Sequence, residues 1–328
     1  MKNRCGLLIT LLMLCFLSAC GKGSKEENPE SIKIGTNRAI GASAVYVAEE
    51  MGYFDDLNVK VEVLDFSDGT AIMEAMAAGE LDMCVVGAMP VAVWNAKGLD
   101  VRILEGVNNG GHVILTRNDT GIQSVSDLKG KSLTVPSPGT VTDVLLKGFI
   151  LPDAGIAEDS ITAITGIAPA DMANAMMLNQ VDAIMTWEPF ASVAEASYDN
   201  VSVVYDCASE WQEKYNSDYA YPVNVLAVNG AFIDNHFKLV QSVTNSVNKA
   251  IDYINTDASA YGTIASILDI DENIVANAMK RSMVSNELDQ EAVMQFMEKS
   301  KELGYIEKIP EKEKLFDQRI EEGIRREN

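Results

Sequence analysis

Apolar positions in this chain fall into short strands and into helices of three-to-four spacing, and one such unit occurs twice. Ile72, Met73 and Met76 share a helical face, as do Met172, Met176 and Met177 one hundred residues on. Ala75-Met76 is matched by Ala175-Met176, and Glu80-Leu81-Asp82 by Gln180-Val181-Asp182. Gly79 and Asn179 stand where a left-handed helix terminus is expected. An apolar strand follows in each copy, over 83–86 and 183–186. These strands lead into Gly87-Ala88-Met89-Pro90 and Trp187-Glu188-Pro189-Phe190. Each copy reads as helix, tight turn, aspartate and buried strand. Chance likeness between two αβ units is the plainer explanation; two lobes of like architecture is the sharper one. Ligands of open α/β sheets sit just beyond the carboxyl ends of strands. Two such sheets facing each other would enclose a cleft.

The remaining pattern fills in both halves. Ile32-Lys33-Ile34-Gly35 alternates as a strand. Gly41-Ala42-Ser43 opens a helix to about Met51, with Ser43 as its N-cap and Gly52 just past its end. Val59, Val61 and Val63 alternate with charged residues as a second strand, and Ser67-Asp68-Gly69-Thr70 turns into the first repeated helix. Further strands are expected over 101–104, 112–116, 132–135 and 201–205, with a turn-rich loop over 108–111. The strand over 112–116 is expected to cross between lobes and the one over 221–228 to return. Thr140 with Asp143 matches a capping box in its aspartate form. From Phe232 the pattern is helical and is expected to complete lobe one, ending in a charged surface helix from Pro310. Lobe one then spans 32–115 and 222–328, and lobe two 116–221.

The N-terminus carries a different signal. Lys2 and Arg4 precede an apolar run of eleven residues, Leu7 to Leu17, broken only by Thr10. This is the order of a secretory leader over residues 1–19, and the run is too short for a bilayer, which needs about 20 residues. Leu17-Ser18-Ala19-Cys20 resembles a bacterial lipoprotein box, which implies lipid on Cys20; an ordinary leader with a chance cysteine is the alternative. Residues 20–31 are polar and free of aromatic side chains, as in a flexible linker.

Composition narrows the function. The net charge of −22 becomes −24 without a leader carrying Lys2 and Arg4. Such a surface repels phosphates, so no nucleic-acid partner is expected. Cys84 and Cys207 lie in or beside apolar runs and are expected as buried small hydrophobes in different lobes, not as a disulfide. Only His112 and His236 are present, no Cys/His spacing suggests zinc, and no cofactor or metal is expected. Gly130-Lys131-Ser132 looks like the end of a phosphate loop, but Val125 stands where that loop needs glycine. No G-x-S-x-G is present. The chain does not read as an enzyme.

Several motifs in order carry a family resemblance. Ile32-Lys33-Ile34-Gly35, Ala48-Glu49-Glu50-Met51-Gly52-Tyr53-Phe54 and Gly79-Glu80-Leu81-Asp82 resemble the first lobe of solute-binding proteins of ABC importers. Val125-Ser126-Asp127-Leu128-Lys129-Gly130-Lys131, the Pro136 to Thr140 loop, and Asp182 through Trp187-Glu188-Pro189 continue the likeness in the second lobe. The most similar branch binds nitrate, sulfonates, taurine or thiamine precursors, and the likeness covers roughly residues 31 to 310. It implies an α/β, two-lobed periplasmic-binding-protein-like fold of type II with two crossover strands as hinge. It implies a small polar or anionic organic solute, sulfonate-, taurine-, nitrate- or pyrimidine-like, trapped by hinge closure and passed to ABC permease subunits. A lipid-anchored monomer on the extracytoplasmic side, at the cell surface or in the periplasm, is expected. A lipid-anchored sensor or docking protein without a transport role is the alternative.

The loops expected in the cleft carry Asn37, Arg38, Ser43, Asp68, Thr70, Gly87, Ala88, Gly139, Thr140, Val141, Trp187 and Glu188. Three of these loops are helix starts, whose free N–H groups favour anions. Each start contributes about 0.3–1 kcal/mol, whereas micromolar affinity needs about 8 kcal/mol. Arg38 as an anion clamp would add about 1.5–3 kcal/mol; a solvated loop charge is its plainer role. Trp187 is either a wall for the ligand or lobe packing. Asp68 and Glu188 either cap helices or meet an amine on the ligand.

Overall fold

Two lobes arise because the chain builds one sheet, leaves it at Gly110-Gly111, builds a second, and returns at Pro222. The computed structural model describes residues 29–135 and 137–320. The leader, Cys20, most of the linker and Pro136 lie outside the described residues. The first pass through lobe one gives β1 (Ser31–Thr36), α1 (Ser43–Glu50), β2 (Lys60–Asp65), α2 (Gly69–Ala77), β3 (Met83–Gly87), α3 (Ala88–Ala96) and β4 (Val101–Gly110). Lobe two follows as β5 (His112–Arg117), β6 (Ser132–Thr134), α4 (Val141–Leu145), a π turn (Leu146–Ile150), α5 (Leu151–Asp153), β7 (Thr162–Ile164), α6 (Pro169–Met177), β8 (Ala183–Trp187), α7 (Phe190–Ser197), β9 (Val201–Asp206) and α8 (Cys207–Tyr215). The return adds β10 (Pro222–Asn229), α9 (Gly230–Thr256), α10 (Ala260–Leu268), α11 (Glu272–Ala278), β11 (Ser282–Val284), α12 (Gln290–Glu302) and α13 (Lys312–Leu315).

The sheets are built alike. The six-stranded sheet runs β11-β4-β10-β3-β1-β2, and the five-stranded sheet β7-β6-β8-β5-β9. In each, the strand that has just crossed from the other lobe lies antiparallel to the neighbours it separates: β10 between β3 and β4, and β5 between β8 and β9. A crossing strand starts at the gap between lobes, whereas its neighbours end there. Asn224 of β10 therefore pairs with Gly87 at the end of β3, and His112 of β5 with Trp187 at the end of β8. The carboxyl ends of β3 and β8 both point into the gap.

The sequence echo has a structural cause. Asp82 accepts the Lys33 N–H at 2.9 Å and returns its own N–H to the Lys33 carbonyl at 3.1 Å. Asp182 does the same to Ser132 at 2.8 and 3.1 Å and also accepts the Ser132 hydroxyl at 2.8 Å. Each aspartate fastens the start of its buried strand to the neighbouring parallel strand. Gly79 and Asn179 turn the preceding helix with φ of +73° and +58°. Two lobes of like architecture, not chance likeness, account for the repeat.

Side chains alternate across β3 and divide its burial between two cores. Met83 and Val85 pack with α1, α9, α10 and α11; Cys84 and Val86 pack with α2 and α3. The second of these cores continues into lobe two. Phe296 of α12 lies 4.8 Å from Phe149, 5.8 Å from Trp211 and 6.1 Å from Tyr221, ring centre to ring centre. Tyr221 is fully buried, and its hydroxyl sits 3.0 Å from His112 Nδ1. The later helices thus do not all belong to lobe one. The buried stripe of α12, Ala292, Val293, Phe296 and Met297, packs against α3 of lobe one and α4 of lobe two.

Four further expectations are corrected. Residues 112–115, assigned by pattern to lobe one, lie in β5 of the lobe-two sheet, because Gly110 and Gly111 turn the chain with φ of +71° and +92°. Asn108 and Asn109 are not in a loop: β4 runs through Gly110, and both side chains are buried against the segment around β11. Ser43 does not cap its helix, since a 3-10 turn over Ile40–Ala42 runs straight into α1. The described part of the tail is not a surface helix. After the four-residue α13, Phe316 bridges to Ile103, and Leu315, Phe316 and Ile320 are buried. Arg102 and Arg319 clamp this tail through Asp234 and Asp317 at 2.8–3.3 Å where they bond Asp234 or cross between strand and tail. The Arg102 hydrogen bonds hold the Asp234 carboxyl down at about 2.

Candidate functional site

The lobes touch where β3 ends. Gly87 caps α3 with φ −53° and ψ 139°, and a Cβ placed on it would lie 3.6 Å from Cγ2 of Val141 in lobe two. Gly69, at the start of α2, packs beside them: its Cβ would be 3.1 Å from Val86. Gly87 and Ala88 thus face Val141 across the gap, with the start of α2 alongside.

The lobe-two wall is held rigidly. Gly139 adopts φ +78° and donates its N–H to Asp143 Oδ2 at 3.0 Å. Thr140 accepts the Asp143 N–H at 3.3 Å and donates to the Ser137 carbonyl at 2.8 Å. The expected cap at Thr140 is present, with the aspartate reaching back to Gly139. Asp143 is buried and ion-paired to Lys147 at 3.1 Å, which also meets Glu158 at 2.9 Å and the Tyr305 hydroxyl at 3.3 Å. Tyr305 comes from the segment after α12 and covers Gly139.

Trp187 and Glu188 stand at the crossing. The Trp187 ring is 6.3 Å from His112 and 5.8 Å from Phe190. The Glu188 N–H donates to the Gly111 carbonyl at 2.9 Å. Its side chain is buried, accepts the Ser192 N–H at 3.0 Å and pairs with Arg281 at 3.0 Å. Burial pushes the Glu188 carboxyl up, against the pull of these two partners. Glu188 is therefore engaged by protein groups.

The charged candidates of lobe one are likewise occupied. Asp68 caps α2 by accepting the Thr70 and Ala71 N–H groups at 2.9 and 3.1 Å. That helix start already carries a negative group. Arg38 pairs with Asp65 at 2.8 Å and donates to the Ile267 carbonyl at 3.0 Å. Asp65 ends the edge strand β2, so Arg38 sits at the far side of the sheet from the crossing. Thr70 is exposed and Asn37 half-buried. The structure brings Gly87, Ala88 and Val141 together, sets Gly139 and Thr140 on the turn into Val141, and places Trp187 and Glu188 by the crossing. It does not bring Arg38 to them.

Neutral polar groups gather at the start of α1. Ser43 is 2% exposed, and its hydroxyl has no hydrogen-bond partner among the described residues. A Cβ on Gly41 would lie 2.3 Å from Asn224 Nδ2 and 2.7 Å from Asn108 Oδ1. Glycine there lets two amides from β10 and β4 close on the start of α1. Asn108 and Asn224 were not singled out by pattern; the only local signal is Asn-Asn-Gly-Gly between two apolar strands.

Little in the site is reactive. Burial lowers His112 to about 3, so its imidazole is neutral at ordinary pH. Cys84 and Cys207 are free and buried, and burial raises the Cys84 thiol to about 12. Among the described residues no cluster of three His, Cys, Asp or Glu side chains is arranged to hold a metal. Among them no helix is long and apolar enough to cross a membrane.

Comparisons with known proteins agree with this architecture. A Bacillus subtilis (strain 168) protein whose name assigns it to aliphatic sulfonate binding is 25% identical over 322 residues, covering 94% of this chain and 91% of that protein. The crystal structure of the periplasmic aliphatic sulphonate binding protein SsuA from Escherichia coli superimposes with a TM-score of 0.73 at 20% identity, covering 89% of this chain and 93% of that one. The alkanesulfonate-binding protein SsuA from Xanthomonas axonopodis pv. citri, bound to MOPS, gives 0.71 at 20% identity over 87% and 96%. The fold is that of the periplasmic binding proteins, as the motif order implies. The model of the NMT1-like family matches residues 25–269. The chain belongs to the NMT1-like family.

Proposed function

We propose that the protein is an extracytoplasmic receptor for a small organic anion, an alkanesulfonate first of all, which it delivers to an ABC importer. The observation that carries this reading is the approach of Gly87 and Val141 across a gap into which the ends of β3 and β8 both point. The α3 start, the Ser43 hydroxyl and the Asn224 amide would bind the acidic head. Val141, Ala88 and Trp187 would pack on the carbon chain. Thr140, Gly139 and Asn37 complete the rim. Hydrogen bonds to a charged group contribute about 1.5–3 kcal/mol each, so three or four neutral donors supply micromolar binding without Arg38. The names of the relatives support a sulfonate over a pyrimidine.

A thermal-shift panel tests this. Alkanesulfonates including MOPS and taurine are expected to stabilise the protein by about 2.7 kcal/mol at one hundred times their dissociation constant. Nitrate should do less, because it lacks the chain that the apolar walls would cover. A panel in which only pyrimidines or only amines stabilise the protein would contradict the anion reading. Cys20 would serve as the lipid attachment point, holding the lobes near the membrane through the residue 21–31 linker. Metabolic palmitate label is expected on the wild type and absent from Cys20→Ala; label retained by the variant would refute the anchor.

A further inference from the structure

We propose that Arg281 sets the angle between the two lobes and, through Glu188, the position of the Trp187 wall. The residue lies in lobe one, between α11 and β11, where Ser282 pairs with Gly110 at the crossing. A Cβ on Gly110 would be 2.8 Å from the Arg281 carbonyl, so this segment lies directly against the turn between lobes. From there the guanidinium reaches into lobe two. It meets Glu188 at 3.0 Å, Glu195 at 2.5 and 3.1 Å, and Asp206 at 3.2 Å. These acids lie on three elements: the turn after β8, helix α7, and the end of β9. Asp206 also caps α8 by accepting the Ala208 and Ser209 N–H groups at 3.1 and 3.3 Å. The neighbouring Lys280 donates to Asn277 at 2.9 Å. One guanidinium therefore serves three carboxylates, one of them 1% exposed.

This geometry defines a single interlobe arrangement. Arginine presents five donors in a rigid fork, and all three acids are met only when α7 and β9 stand at one angle to β11. Rotation about Gly110-Gly111 would withdraw the fork from Glu195 or Asp206. The seam has room for such movement: a pocket of about 300 Å³ lies along it, lined by Ser192, Glu195, Ala196, Asn277, Lys280 and Arg281. Without Arg281 the buried Glu188 loses its counter-charge and three acids face one another, which penalises the present angle. Since Glu188 directly follows Trp187, the same contact fixes the wall of the ligand gap. Arg281 acts as a positioning residue, and its effect on affinity rests on the receptor reading above.

The test uses the full chain with spin labels attached at Glu74 in α2 and Lys129 in lobe two through a reactive unnatural amino acid. Pulsed-EPR distances are measured without ligand, and MOPS affinity is measured separately. Arg281→Met is expected to lengthen and broaden the distance distribution and to weaken MOPS binding about tenfold. Glu195→Gln, which leaves the buried Glu188 pair intact, is expected to shift the distribution in the same direction by less, and it decides the matter if Arg281→Met does not fold. Distances unchanged from wild type would overturn the proposal, whatever happens to affinity. If wild type binds no MOPS, the sulfonate reading fails, while the ligand-free distances still decide the role of Arg281.

Discussion

Gly87→Trp should remove solute binding while leaving the fold in place. Backbone angles of φ −53° and ψ 139° suit any L-residue, so the substitution carries no backbone strain. Its Cβ would sit 3.2 Å from Pro90 Cδ and 3.6 Å from Val141 Cγ2. The indole must then project into the gap and hold the lobes apart. Affinity for the best panel solute should fall at least a hundredfold, about 2.7 kcal/mol. Stability without solute should change by no more than about 1 kcal/mol, because residue 87 is only half-buried. Calorimetric titration together with a melting curve checks both. Wild-type affinity in the variant would mean that solute does not enter between these helix starts.

Phe296→Ala should have the larger effect on stability. Phe296 is 2% exposed and touches rings from three other segments: the π turn, α8 and Tyr221 just before β10. Removing a buried phenylalanine costs about 3–5 kcal/mol, since the site collapses only in part. At roughly 2–4 °C per kcal/mol for a body of this size, the melting temperature should drop by about 6–20 °C. A loss below about 1 kcal/mol would show that α12 does not hold the two lobes to a shared core.

The two effects separate what the chain announces locally from what it does not. The repeated helix–turn–Asp–strand unit was legible because each element in it is local. The left-handed residue ends the helix, and the aspartate fastens the strand that follows. Strand ends, and with them Gly87, Ala88 and Trp187, followed from that unit, whereas Val141 followed from the helix start capped by Thr140. Partners distant in sequence were not legible. Nothing near Arg38 reveals that Asp65 would engage it from the end of the next strand, or that α10 would offer it a carbonyl. Nothing near Arg281 reveals three acids on another lobe. Residues 108–111 looked like a loop because asparagines and glycines are poor strand formers. Asn108 is held in the sheet by Ser282, which lies 174 residues away. The tail looked like a surface helix because its charges outnumber its apolar residues, yet Leu315, Phe316 and Ile320 suffice to dock it on β4.

Charge tells the same story at the site. Three ionisable side chains are expected in the cleft, and all three serve the protein first: Arg38 with Asp65, Asp68 with its own helix, and Glu188 with Ser192 and Arg281. Under the proposed function, recognition of an anion falls to backbone N–H groups, hydroxyls and amides. These neutral donors satisfy an acid without the desolvation cost of a buried cation.

The most direct test is the crystal structure of the protein with the best-binding alkanesulfonate. The acidic head should lie at the start of α3, near Ser43 and the Asn224 amide, with its carbon chain between Val141 and Trp187. A solute bound on an outer face of either lobe, with Gly87 and Val141 still in contact and nothing between the strand ends, would contradict the account.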